Sequence, residues 1–167
     1  MKNLWAPWRM TYITGADKQV ASGDCIFCAD KNHEGPDKTR LILYAGRLSI
    51  AMMNRYPYTN GHLLAAPRRH VPELSDLSEE EMSDLLGLVR SSIDIMRQNM
   101  SPDGFNVGLN LGRVAGAGVK DHLHFHVVPR WNGDTNFMTV FADVRVIPEH
   151  LEASFDRLVK YFSELPK

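Results

Sequence analysis

What this chain lacks narrows its biology first. Its 167 residues include two cysteines, Cys25 and Cys28, too few for the disulfide framework of a small secreted domain. No run approaches the roughly 20 apolar residues of a membrane-spanning helix, and residues 1–10 lack the apolar core of a signal peptide. Neither sign of charge dominates. The formal net charge is −1 and the pI about 6.6, so no overall basic field is available to hold nucleic acid or a membrane surface. Internal repeats and low-complexity tracts are missing too. The expectation is a cytoplasmic globular protein with neither membrane nor nucleic acid as a partner.

Apolar residues make up 44% of the chain and charged residues 23%, ordinary values for a soluble fold. The length suits one domain. Residues 1–24 show no periodicity and read as an N-terminal arm, leaving residues 25–167 as the domain. Residues 31–39 form a polar loop around Gly35-Pro36. Short apolar runs at 40–45 and 48–53, separated by Gly46-Arg47, predict a hairpin, and a third run at 62–66 follows Asn60-Gly61. Ser78 and Glu81 have the S-x-x-E spacing that satisfies free amides at a helix start. Met82, Leu85, Leu86, Val89, Ile93, Met96 and Met100 then recur at helical spacing until Pro102-Asp103-Gly104. Two more strands are predicted at 105–111 and 122–128, joined by a glycine-rich loop at 112–118. Pro148 and the stripe Leu151, Phe155, Leu158, Val159 and Phe162 predict a final helix. The pattern implies an α+β fold, an antiparallel five-stranded sheet with a central and a C-terminal helix.

The segment that carries chemistry is His122-Leu123-His124-Phe125-His126. Side chains alternate along a strand, so the three histidines share one face and Leu123, Phe125 and Val127 the other. Two chemistries use such a face. An H-x-H pair can chelate a catalytic metal, as in barrel hydrolases and cupins. The full eightfold barrel needs ~250 residues, which this chain does not have, and two substantial helices do not suit a cupin-like barrel. The other is phosphoryl or nucleotidyl transfer through an imidazole nucleophile, largely neutral at pH 7 because its ordinary pKa is near 6.5.

His122 through Val128 resembles the H-x-H-x-H-x-x signature of the histidine triad (HIT) family, with apolar residues at every x. Asn54, Gly61-His62, Pro67-Arg68-Arg69-His70 and Asn110 extend the resemblance over roughly residues 25–130. Leu4-Trp5-Ala6-Pro7-Trp8-Arg9 and the segment 129–137 are most like the bacterial diadenosine tetraphosphate phosphorylase branch. The resemblance implies that His124 attacks the α-phosphorus and carries a nucleotidyl group. It implies that His126 binds phosphate oxygens and stabilises the leaving group, that Asn54 holds the ribose, and that Asn110 contacts phosphate or orients the site. Backbone amides of Gly116, Ala117, Gly118 and Val119 are expected to line the α-phosphate. Many hydrolases of the family carry glutamine where Gly118 stands, often followed by Ser or Thr where Val119 stands. The missing polar groups open room for an incoming phosphate, with Lys120, Arg113 or Arg130 as candidate charges.

Cys25-Ile26-Phe27-Cys28 alone is ambiguous between a metal clip, a redox pair and accident. The resemblance implies a structural Zn²⁺ held by Cys25, Cys28, His70 and His122, which would set His122, itself one of the triad, beside the nucleophile. Trp5, Trp8 and Trp131 read as packing or subunit-contact residues, and the family implies a homodimer or higher homo-oligomer. The implied activity is nucleotidyl transfer on adenosine polyphosphates, foremost phosphorolysis of diadenosine tetraphosphate by inorganic phosphate to ADP and ATP. A hydrolase of dinucleoside polyphosphates or nucleoside phosphoramidates is the enzymatic alternative, and a zinc-stapled nucleic-acid-binding adaptor the non-enzymatic one.

Overall fold

Short segments of alternating apolar residues pair into one antiparallel sheet with a helical layer on one face. The computed structural model describes residues 25–28, 33–115, 119, 121–134 and 149–166. Within them the strands are β1 (Ile42–Ala45), β2 (Ser49–Met53), β3 (Leu63–Pro67), β4 (Gly104–Leu109) and β5 (Phe125–Arg130), in the order β1-β2-β3-β5-β4. Two helices, α1 (Glu79–Met100) and α2 (Leu151–Phe162), complete the α+β fold. The predicted arm and Pro148 lie outside the described residues.

Helix α1 starts where the sequence predicts. The Ser78 hydroxyl accepts the Glu81 amide at 3.2 Å, and the Glu81 carboxylate accepts the Ser78 amide at 2.8 Å. It stops at Ser101, whose left-handed backbone (φ 49°, ψ 51°) turns the chain into β4. Leu85, Leu88, Val89, Ser92 and Met96 face the sheet. Leu86, expected in the stripe, is 47% exposed, because it lies one helical step beyond Leu85.

The two faces of the sheet have different roles. Leu43, Ala51, Met53, Leu63, Ala65 and Val127 pack against Leu85, Met96, Phe155, Leu158 and Phe162 of the helices. On the other face Ile42, Ile50, Met52, Leu64 and Ala66 gather around Phe27, with Cys25, Ile26 and Val119 against them. Register places His126 between Leu64 and Gly108, hence on the face away from the helices. Strand β5 begins at Phe125 rather than His122. The Leu123 amide donates instead to the Val71 carbonyl at 2.7 Å, so His122 and His124 sit on extended chain tied to the loop after β3.

Gly61 makes the turn into β3 with φ +73°, and a Cβ there would stand 2.8 Å from Met100 Cε. The positive φ favours glycine, and a side chain there would also have to displace the end of Met100. Among the described residues no helix is long and apolar enough to cross a membrane.

Candidate active site

Hydrogen-bond partners that can only donate or only accept fix which nitrogen of each site histidine carries its proton. His124 Nδ1 lies 2.8 Å from the His122 carbonyl, which can only accept, so Nδ1 is protonated and Nε2 keeps the lone pair. His124 is buried (3% exposed), and burial pushes its pKa down despite the opposing pull of that carbonyl. A neutral imidazole with its free lone pair at Nε2 is the reactive form of a nucleophile.

His126 is set through a residue to which sequence reasoning gave no role. The Tyr58 amide, which can only donate, stands 3.1 Å from His62 Nδ1, and Asn54 Nδ2 stands 3.3 Å from the same atom. The His62 proton therefore sits on Nε2, 2.9 Å from His126 Nδ1, and donates to it. That leaves the His126 proton on Nε2. Asn110 Nδ2 comes within 3.5 Å of this nitrogen, so a proton there requires the Asn110 amide in its flipped orientation, with the oxygen toward the ring. The His124 and His126 rings, centroids 5.0 Å apart, thus pair a bare lone pair with an N–H donor. Cross-strand from His126, Gly108 has no side chain, and a Cβ built there meets nothing within 4 Å. Open space beside the imidazole is what a phosphate chain requires. His62, buried to 0% exposure, could have been suspected only because Gly61 pins the turn before it. Asn54 also holds its own turn, its Oδ1 accepting the Tyr56 amide at 2.9 Å.

The second constellation adjoins the first. His122 Nε2 donates to the Pro67 carbonyl at 2.8 Å, so its Nδ1 lone pair points the other way. Around that lone pair stand Cys25 Sγ at 3.2 Å, Cys28 Sγ at 3.3 Å and His70 Nδ1 at 3.2 Å. All four donor atoms lie within 4.8 Å of one another. A tetrahedral zinc with two thiolates and two imidazoles spaces its ligands by about 3.3–3.8 Å, so the residues fit a metal ion. Burial pushes the Cys25 thiol up to about 11, with nearby Cys28 adding to the rise, and it pushes His122 down to about 4. A cation among them is what would offset the cost of a buried thiolate. The remaining member of the clip, Phe27, is 3% exposed and packs its ring 4.9 Å from His122 and 5.4 Å from His124. An apolar residue between the two cysteines gave no sequence signal of that position.

Other expected residues are placed as follows. Val119 is half-buried beside Phe27, whereas Gly116, Ala117, Gly118 and Lys120 lie outside the described residues, as do Trp5 and Trp8. Arg130 is not an open phosphate-binding charge. Its guanidinium is bidentate on Asp134 at 2.5 and 2.8 Å and donates to Asn106 Oδ1 at 2.7 Å. Trp131 is a packing residue, its indole N–H shared by the Met100 and Ser101 carbonyls.

Comparison with known proteins identifies the family. The pattern of the HIT domain matches residues 36–133. An AP-4-A phosphorylase of Mycobacterium tuberculosis is 40% identical over 154 residues, covering 90% of this chain and 79% of that protein. An adenosine 5'-monophosphoramidase of Schizosaccharomyces pombe is 31% identical over 129 residues, covering 77% and 91%. Among solved structures, a zinc-bound histidine triad family protein from Mycobacterium smegmatis superposes with a TM-score of 0.65. It is 28% identical, with coverage of 84% of this chain and 94% of that one.

Proposed function

Because the chain belongs to the HIT domain family, we propose that it is an enzyme that cleaves adenosine polyphosphates by nucleotidyl transfer through His124, with inorganic phosphate as acceptor. The observation that carries the reading is the opposite protonation of the two histidines, a lone pair on His124 Nε2 and a proton on His126 Nε2. In the first step His124 Nε2 attacks the α-phosphorus and the bond from that phosphorus to the bridging oxygen breaks. The departing oxygen accepts a hydrogen bond from His126 Nε2–H, which stabilises its charge with no proton transferred. The phosphorylated imidazole becomes cationic, and the His122 carbonyl, already holding Nδ1–H, stabilises that charge without reorganising. Phosphate then attacks the same phosphorus, restoring His124 and releasing ADP. From diadenosine tetraphosphate the products are ATP and ADP.

Asn54 keeps a second amide hydrogen and a second oxygen lone pair for the ribose hydroxyls, and Asn110 orients His126. We further propose that backbone amides at 116–119 serve as donors to the α-phosphate. Cys25, Cys28, His70 and His122 are proposed to hold zinc as a closed four-ligand structural site, with no position open for Lewis-acid chemistry. Thiols committed to a metal suit a reducing compartment, which supports a cytoplasmic location. Residues 25–167 form the domain and 1–24 an arm in this reading. Two or more copies assemble, a reading favoured by the edge strand β4, where Val107 is 44% exposed.

The test is product analysis with diadenosine tetraphosphate. ADP plus ATP is expected, with turnover at least ~10-fold slower when phosphate is omitted. His124→Ala should lower kcat by about 10⁴ or more while nucleotide still binds. AMP plus ATP, at a rate indifferent to phosphate, would identify a hydrolase instead.

A further inference from the structure

A half-buried polar knot lies where the C-terminal helix meets the turn before β3, on no part of the triad or the cysteine cluster. Ser154 is wholly buried in the early turns of α2. Its single hydroxyl proton faces two acceptors, Glu149 Oε2 at 2.6 Å and Asn60 Oδ1 at 2.9 Å. Asn60 Nδ2 donates to the same Glu149 oxygen at 3.3 Å. Burial opposes ionisation of Glu149, but hydrogen bonds from Ser154 and Asn60 and the charge of Arg157 hold its carboxyl below the usual range. A carboxylate with two side-chain donors is a charge-assisted anchor, stronger than a neutral pair.

What the knot anchors is the approach to His62. Asn60 precedes it by two residues, across Gly61, which turns the chain with φ +73°. Thr59 closes the other side, with its hydroxyl on the Pro129 carbonyl at 2.9 Å and its own carbonyl accepting the His62 amide at 3.3 Å. The bond from His62 to His126 is 2.9 Å. A drift of about 1 Å in the turn would carry it beyond hydrogen-bonding range. Without that donor, nothing in the chain Tyr58–His62–His126 would keep the His126 proton on Nε2.

We propose that Ser154, Glu149 and Asn60 are positioning residues that hold His62 against His126, so that the C-terminal helix sets the hydrogen-bond donor of the site. The HIT domain match ends at residue 133, so part of this tether comes from a segment outside the family pattern. The inference rests on the reading of His126 as donor to the leaving phosphate.

Ser154→Ala and Asn60→Ala, made separately in the full chain, test it with two readouts. Nitrogen-15 spectra of the histidine rings, recorded without substrate, should show His126 with its proton on Nε2 in the parent and a mixture of Nδ1–H and Nε2–H forms in both variants. With diadenosine tetraphosphate, kcat should fall roughly tenfold while KM stays within about twofold, since the loss falls on the transition state. Lys38→Ala serves as control. It cuts another tether of the same helix, the Lys38–Asp156 pair, and should leave the His126 spectrum and kcat as in the parent. Unchanged ring spectra in folded Ser154→Ala and Asn60→Ala protein would overturn the proposal, as would an equal shift in Lys38→Ala. If the parent turns over no dinucleoside polyphosphate, the functional reading fails while the spectra still decide the tether.

Discussion

His124 works at the scale of single hydrogen bonds. Its lone pair is usable only while the ring is unprotonated, and burial holds its pKa below the ordinary 6.5. Protonation removes the nucleophile, so activity is retained as pH falls through 6.5 and is lost at a lower pH. The acid limb of kcat/KM should therefore lie below 6.5, measured on diadenosine tetraphosphate across pH 4–8. A limb at or above the ordinary imidazole value contradicts the assignment. Much of this site was legible in residue types and spacing, because His122, His124, His126, Cys25 and Cys28 announce themselves locally. His62 did not, since its partner His126 is 64 residues away and the contact exists only once β3 and β5 pair. Phe27 was invisible for the same reason.

At the scale of elements, the start of α1 does more than begin a helix. Glu81 accepts the Ser78 amide and a two-pronged contact from Arg69, at 2.8 and 2.7 Å, next in sequence to His70. The Arg69 hydrogen bonds foremost, then the Ser78 amide, hold the Glu81 carboxyl at about 2. A carboxylate with a depressed folded pKa contributes stability that is present above its ordinary pKa and lost on acidification through the folded one. In Glu81→Gln, acid unfolding between about pH 4.5 and 2 should accordingly be less steep than in the parent. Ser78→Ala should cost about 1 kcal/mol, read as a lower midpoint in urea at unchanged slope. The helix limits were readable because the Ser78–Glu81 box and Pro102 are local signals, although the left-handed turn at Ser101 carried none. The start of β5 was not, because the amide of Leu123 is claimed by Val71, a choice made by the loop after β3.

The cluster of Cys25, Cys28, His70 and His122 acts on the whole molecule, since it ties together segments up to 97 residues apart. Metal binding by sites absent from the unfolded chain adds directly to folding free energy. Protein purified without added metal should hold zinc near one per chain. Cys28→Ser should lose it, with a drop in Tm of roughly 6–12 °C, equivalent to about 3 kcal/mol. Metal-free protein with an unchanged Tm would make the cysteines incidental.

In the proposed mechanism His122 belongs to that cluster by its side chain and to the reaction by its main chain. The imidazole addresses the sulfurs, whereas the carbonyl fixes the proton of His124. Those two duties are separable under mutation, because any residue supplies a carbonyl and only a few supply a ligand. A lineage can therefore discard the metal and replace His122 without surrendering the nucleophile, provided the chain keeps its course between Val71 and β5. Selection can act on durability and on catalysis independently at a single codon.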